Sequence, residues 1–125
     1  MIKNSEEIPV QKSGQYRSYK VMGISGGVAE GKIKIIEGLE DLGNIETNDI
    51  GVVKTFHPSW TPILKIVSGL IMNYGNMLSH GAVVAREYEI PVVVFNADAT
   101  KVFSNGDSVL INGTSGRIKV LKVNA

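Results

Sequence analysis

Three apolar stretches separated by connections of helical length constrain the fold of this chain more than any other feature. The sequence predicts strands over residues 49–54, 69–73 and 92–95, and helices over residues 58–67 and 80–89. Strands that alternate with helices in this way pair in parallel through crossover connections. These residues therefore predict a small parallel sheet.

Antiparallel strands are predicted at both ends of the chain. Downstream, Asn105-Gly106 and Asn112-Gly113 are turn dipeptides around the apolar stretch 108–111, and residues 117–122 alternate between polar and apolar. This pattern predicts an antiparallel hairpin. Upstream, we expect a strand over residues 19–22, a glycine-rich bend over 23–31, a half-buried strand over 32–36 and a short helical turn over 39–42. The predicted fold class is α/β.

The length of 125 residues suits one domain and is too short for two. Residues 1–15 are polar and lack periodicity, so we expect a flexible N-terminal arm followed by a single domain over residues 16–125.

Composition excludes several classes of function. The formal charge is +1 and the basic residues are scattered, which argues against a nucleic-acid partner. The chain has no cysteine, which excludes a disulfide framework, a thiolate metal site and a cysteine nucleophile. Its two histidines and the spacing of its carboxylates predict no metal site. The longest apolar run, residues 90–95, is too short to cross a bilayer. We expect a cytoplasmic protein without a membrane partner.

Two short glycine motifs match catalytic patterns but lie in the wrong context. Residues 26–32 have the spacing of a phosphate-binding loop, yet Ile33 replaces the required Ser or Thr and a predicted strand follows. Residues 23–27 match a nucleophile elbow, which also needs a helix after it. We interpret both as a glycine-rich turn into a strand. His57 has no second ligand nearby, so we expect a structural or solvent-facing role for it.

The start of the second predicted helix carries the functional argument. Ser79 is a good N-cap, and His80 then occupies the first helical position. The positive end of a helix disfavours the imidazolium and keeps a neutral nitrogen available, and its free N–H groups favour a phosphoryl dianion. His80 therefore suits a phosphoryl acceptor, although a capping or hydrogen-bonding histidine explains the same residues.

Neighbouring residues on this helix have several predicted roles. Gly81 and Ala82 leave space around the imidazole, and Arg86 lies about 9 Å further along the axis, with its side chain directed back toward the N-terminus. Arg86 either contacts the phosphoryl group or forms an ion pair with an acidic neighbour. Helical spacing predicts two opposite arcs, of which the second is polar: Ala82, Val84, Ala85 and Tyr88, against His80, Arg86 and Glu87.

Residues 79–87, followed by Ile90-Pro91, resemble the phosphohistidine signature of the mobile, swivelling domain of the phosphoenolpyruvate (PEP)-utilising enzymes. That family includes pyruvate phosphate dikinase, PEP synthase and rifampicin phosphotransferase. Residues 23–31 resemble the family's opening bend, 58–62 its P-x-W-T-P segment and 105–120 its closing hairpin. Several matches in the same order are more specific than one short motif.

The resemblance implies a swivelling β/β/α domain in which His80 is transiently phosphorylated, with Ser79, Gly81 and Arg86 in support. Such a domain shuttles the phosphoryl group between an ATP-grasp-type nucleotide-binding domain and a PEP/pyruvate barrel or another acceptor domain. These partners lie in trans or on a longer parent chain. The resemblance places ATP, PEP and Mg at the partners, with no cofactor bound by this domain. It implies part of a dikinase-type phosphotransferase system that does not turn over alone.

The chain departs from the family at four positions. Asn76 and Phe95 replace family glycines, and Glu89 replaces the glycine that closes the helix in many members. Leu78 stands where some dikinases carry a regulatory threonine, so we expect that control to be absent. Two alternatives remain: a regulatory module in which His80 is not phosphorylated, and an interaction domain that docks onto a dikinase-like partner.

Overall fold

Eight strands form one mixed sheet in the computed structural model, which describes residues 17–54, 58–75 and 80–124. The strands are β1 Arg17–Lys20, β2 Met22–Ser25, β3 Val28–Ile35, β4 Asp49–Val53, β5 Gly69–Met72, β6 Val92–Val94, β7 Ser108–Asn112 and β8 Arg117–Lys122. The α-helix α1 is His80–Tyr88, and the 3₁₀ helices are Leu39–Asn44, Pro58–Lys65 and Ala99–Lys101. The predictions for residues 1–15 and for His57 lie outside the described residues.

The sheet order is β1-β8-β7-β3-β4-β5-β6-β2. Strands β3 to β6 pair in parallel, whereas β1, β7 and β8 on one side and β2 on the other pair antiparallel. The predicted parallel strands are confirmed as β4, β5 and β6, and the predicted hairpin as β7 and β8. The α/β class with antiparallel flanks is therefore confirmed.

The connection between β4 and β5 is helical, as predicted, but it is a 3₁₀ helix rather than an α-helix. Pro62 lies inside it. Because proline lacks a backbone N–H and its ring clashes with the preceding turn, an α-helix cannot run through this position without a break. The predicted helical turn at 39–42 is confirmed by the 3₁₀ helix Leu39–Asn44.

The predictions for the first strands were wrong in their boundaries. We expected one strand over 19–22, but the chain breaks at Val21, whose N–H donates to the carbonyl of Gly116 at 2.8 Å. Gly23 lies inside β2, and β3 already begins at Val28, so the predicted bend over 23–31 shrinks to the two residues between β2 and β3. A hydrogen bond to a turn 95 residues away ends β1, and no local pattern encodes it.

The break at Val21 closes the sheet. Strands β1 and β2 are separated by this one residue, yet they lie at opposite ends of the strand order. Both ends of the sheet must therefore come together at Val21, so the sheet curls around its own inner face. The turn between β7 and β8 joins this contact through Gly116.

Curling gives the sheet two separate apolar cores. Along β5, Ile71 belongs to the core inside the curl, whereas Leu70 and Met72 belong to the core on the opposite face. The inner core includes the edge-to-face aromatic cluster Tyr19, Phe95 and Phe103, with ring centroids 5.5–5.6 Å apart. The outer core is covered by α1 and the 3₁₀ helix Pro58–Lys65. In the described part of the chain, no helix is long and apolar enough to cross a membrane.

Candidate functional site

Helix α1 begins at His80, as predicted, and connects the parallel strands β5 and β6. A connection between parallel strands must run back along the sheet, so the N-terminus of α1 lies at the edge where the parallel strands end. His80 is therefore placed at this carboxyl edge of the sheet. Ser79 lies outside the described residues, so its N-cap role stays a prediction.

The inner face of α1 consists of small residues. Gly81 is buried, and Ala82 and Ala85 are each 0% exposed in the outer core. Small side chains let the helix lie close to β2 and to the neighbouring 3₁₀ helix. That Gly81 also leaves room beside the imidazole stays a prediction.

Tyr88, which helical spacing places on the same arc as Ala82 and Ala85, is partly exposed at the end of α1. Its side chain is 39% exposed, and the Nζ of Lys65 lies 5.9 Å from the ring centroid. Tyr88 instead lies at the surface and interacts with a cation.

The C-terminus of α1 is closed by a Schellman motif with Glu89 in the glycine position. Glu89 has φ +60°, the left-handed conformation, and its N–H donates to the carbonyl of Arg86 at 3.2 Å. The N–H of Ile90 donates to the carbonyl of Ala85 at 2.9 Å, which completes the two bonds of the motif. The helix therefore ends in the motif that a glycine at this position would form, but the residue in the left-handed conformation is a strained glutamate.

We expect Glu89→Gly to stabilise the protein. A non-glycine residue in this conformation costs about 1–2 kcal/mol, part of which the greater freedom of glycine in the unfolded chain offsets. The expected gain is about 1 kcal/mol in the free energy of unfolding, measured by urea denaturation. Glu87→Gly, inside the helix, is the control and should destabilise by about 1 kcal/mol. Equal effects of the two substitutions would contradict the assigned motif.

Arg86 reaches across to β2. Its Nη1 donates to the carbonyl oxygen of Ile24 at 2.8 Å, and the residue lies at the surface of the domain. This bond differs from both roles predicted for Arg86, which were a contact with the phosphoryl group and an ion pair. Sequence patterns gave no signal for it because the two residues are 62 positions apart.

A buried asparagine anchors the strand that leads to the site. Asn73 directly follows β5 and is 1% exposed; its side chain accepts from the N–H of Ala99 at 2.9 Å and donates to Asp98 at 3.1 Å. Asp98 also accepts from the hydroxyl and the N–H of Thr100, as the N-cap of the 3₁₀ helix Ala99–Lys101. Sequence reasoning missed this anchor, although Asp98 two residues before Thr100 is a recognisable capping pattern.

Hydrogen bonds with Thr100 hold the pKa of Asp98 below its usual value; bonds to Asn73 add to this effect, and desolvation opposes it. A lowered carboxyl pKa adds stability above the unfolded-state value of about 4, and this stability is lost as the pH falls through the folded-state pKa. We therefore expect Asp98→Asn to be less stable than the parent near pH 7, with the difference shrinking below about pH 4.

Unfolding by urea at several pH values measures this difference. Thr100→Val should weaken the pH dependence, because it removes the hydroxyl that Asp98 accepts from. A constant difference between Asp98→Asn and the parent from neutral to acid pH would contradict the assignment.

A cavity of about 310 Å³ opens at the same carboxyl edge. It is lined by Ile36, Glu37, Lys54, Asn73, Asp98 and Thr100. Ligands of open α/β sheets bind outside the carboxyl ends of the strands, so the cavity and the N-terminus of α1 lie at the edge where a site is expected.

The two glycine motifs form the predicted turn into a strand. Residues 26–27 connect β2 directly to β3, so no helix follows either motif. Ser25, the would-be nucleophile, is 3% exposed and ends β2. No cluster of three or more His, Cys, Asp or Glu among the described residues is arranged to hold a metal ion.

Comparisons with known proteins agree with this geometry. Residues 45–116 match the family model described as PEP-utilising enzyme, mobile domain. Rifampicin phosphotransferase of Bacillus cereus is 42% identical over 98 residues, which are 78% of this chain and 11% of that protein. Phosphoenolpyruvate synthase of Aeropyrum pernix is 39% identical over 93 residues, 74% of this chain and 11% of that protein. The chain thus spans about a tenth of the length of these relatives.

Two solved structures share the fold. An Enzyme I protein, solved by NMR, aligns with TM-score 0.54 and 31% identity over 63% of this chain and 33% of that chain. Aconitase X of Thermococcus kodakaraensis aligns with TM-score 0.59 over 84% of this chain and 98% of that chain, at 18% identity. The family model covers more than half of the sequence and includes α1 and the strands on both sides of it. The chain therefore belongs to the mobile-domain family of the PEP-utilising enzymes.

Proposed function

We propose that this chain is a phosphoryl-carrier domain in which His80 is transiently phosphorylated. The observation that carries the proposal is the position of His80 as the first residue of α1, at the carboxyl edge of a sheet that belongs to the mobile-domain family. At this position the helix end favours a neutral imidazole before transfer and an anionic phosphoryl group after it.

The transfer forms one bond and breaks another. The unprotonated ring nitrogen of His80 attacks the phosphorus of the donor, and a P–N bond forms as the P–O bond to the leaving group breaks. The leaving oxygen keeps the electron pair of that bond. The proton on the other ring nitrogen stays with the ring or passes to solvent. Transfer to the acceptor reverses these steps, with an acceptor oxygen as the nucleophile.

The N-terminus of α1 stabilises the phosphorylated state. The first N–H groups of an α-helix have no partner within the helix and point out of its N-terminus, where the helix dipole favours an anionic phosphoryl group. Gly81 and Ala82 follow His80 directly, and neither carries a side chain that would crowd the group. Ser79 completes the predicted cap on the other side of His80.

The chain needs partners to complete a transfer cycle. It spans about 11% of relatives whose names are rifampicin phosphotransferase and phosphoenolpyruvate synthase. We propose that the phosphoryl donor and acceptor sites lie on an ATP-grasp-type nucleotide-binding domain and on a PEP/pyruvate barrel or another acceptor domain. ATP, PEP and Mg would bind there. Because the relatives differ in name, we propose that the partner domain determines which molecule accepts the phosphoryl group from this chain.

Intact-mass spectrometry tests the proposal. The purified chain is incubated with ATP or PEP in a lysate of its source, recovered and weighed with and without brief acid treatment. We expect a gain of one phosphoryl group that acid removes, as for a phosphoramidate. No gain with either donor would support the regulatory or docking module, in which His80 is not phosphorylated.

A further inference from the structure

The contact between Arg86 and β2 falls on an irregularity of that strand. Gly23 pairs with Val93 and Ser25 pairs with Val92, so Ile24 is the extra residue of a β-bulge. A bulge leaves the extra residue out of the regular ladder, and the carbonyl of Ile24 accepts instead from Arg86 at 2.8 Å. The guanidinium thus binds the one residue of β2 that the strand pairing skips.

The packing of α1 does not by itself fix the position of the helix along its own axis. The buried residues of α1 are Gly81, Ala82 and Ala85, and such small side chains form shallow ridges. Shallow ridges allow close approach but resist sliding along the helix axis less than large interlocking side chains do. A charge-assisted bond from the last turns of α1 to a fixed backbone oxygen sets the axial position that this packing leaves open.

We infer that Arg86 is a positioning residue for His80. It lies six residues, or about 9 Å, along the axis from His80 and holds α1 to the bulge of β2, which fixes how far the N-terminus of α1 projects at the carboxyl edge. It does not touch the phosphoryl group. This inference rests on the proposed function, because the position of His80 matters only if a partner must reach it.

Two phosphoryl donors of different size separate positioning from direct contact. Potassium phosphoramidate is a small donor that phosphorylates histidine without a protein partner, whereas the lysate donor must dock. The variants carry His57→Gln, so that His80 is the one histidine left to label. In folded Arg86→Met we expect labelling by phosphoramidate to stay within about two-fold, while labelling by the lysate with ATP or PEP falls roughly ten- to a hundred-fold because His80 is misplaced. Arg86→Lys keeps a charge and a donor and should recover much of the lysate rate.

Glu87→Met is the matched control, since it changes an exposed neighbour on the same helix and should change neither rate. Equal losses with both donors in Arg86→Met would show that Arg86 contacts the phosphoryl group and would overturn the inference. So would lysate labelling that stays at the parental rate. If Arg86→Met does not fold, Arg86→Gln takes its place, with the same supporting and contradicting outcomes. Failure of the parent chain to label with either donor would reject the proposed function itself.

Discussion

Gly23→Ala should remove about 3 kcal/mol or more of folding stability, a large part of the about 5–15 kcal/mol that holds a domain of this size together. A Cβ at Gly23 would overlap the carbonyl oxygen of Gly113, and one at Gly113 would overlap the carbonyl oxygen of Ser25. These are contacts between backbone atoms, so no side-chain rotation relieves them. The two glycines let β2 approach the turn between β7 and β8, where the curled sheet closes.

Thermal unfolding followed by circular dichroism measures the loss. A destabilisation of this size should lower Tm by roughly 15 °C. Gly43→Ala is the control, because a Cβ there meets no atom within 4 Å and the residue is exposed. We expect Gly43→Ala to change stability by less than about 0.5 kcal/mol. Equal Tm values for the two variants would mean that the closure at Gly23 does not exist in solution.

His80→Gln should abolish phosphoryl uptake while leaving the fold intact. Glutamine keeps a polar side chain of similar length at the first position of α1 but has no nucleophilic ring nitrogen. We expect labelling by the lysate donor to fall to background, with Tm within about 3 °C of the parent, because most single substitutions away from buried contacts change stability little.

His57→Gln provides the matched control for this loss. It removes the other histidine of the chain and should leave lysate-dependent labelling unchanged. Labelling that survives in His80→Gln but disappears in His57→Gln would show that His57, and not His80, carries the phosphoryl group.

Local patterns predicted most of the secondary structure. The hairpin of β7 and β8 follows from alternation and turn dipeptides, and the side chain of Asn112 accepts from the N–H groups of Thr114 and Ser115 as such a turn requires. The start of α1 at His80 follows from capping residues and apolar spacing. These features depend on interactions within a few residues, which a sequence displays directly.

The features that were wrongly predicted or missed concern contacts between distant parts of the chain. The break at Val21 depends on Gly116, and the bond from Arg86 depends on a bulge at Ile24. The partial exposure of Tyr88 was not predicted either. Helical periodicity gives the direction of a side chain but not the distance to its neighbour, so it could not predict this exposure.

The sequence predicted only part of the site, because the rest depends on contacts between distant residues. The sequence placed His80 on the first turn of a helix, and the strand order shows that this turn lies at the carboxyl edge. The anchor formed by Asn73 and Asp98 joins residues 25 positions apart, and it was not predicted. Residue types and spacing suggest the chemistry, whereas the supporting contacts come from the fold.

Nuclear magnetic resonance of the phosphorylated chain tests the central claim most directly. The protein is labelled with ¹⁵N in histidine only, phosphorylated in its lysate with ATP or PEP, and examined for coupling between ³¹P and ¹⁵N. Our account predicts one ³¹P resonance that is coupled to a ring nitrogen of His80 and is absent in His80→Gln. A ³¹P resonance without nitrogen coupling that survives acid would place the phosphoryl group on a hydroxyl, and it would contradict the account.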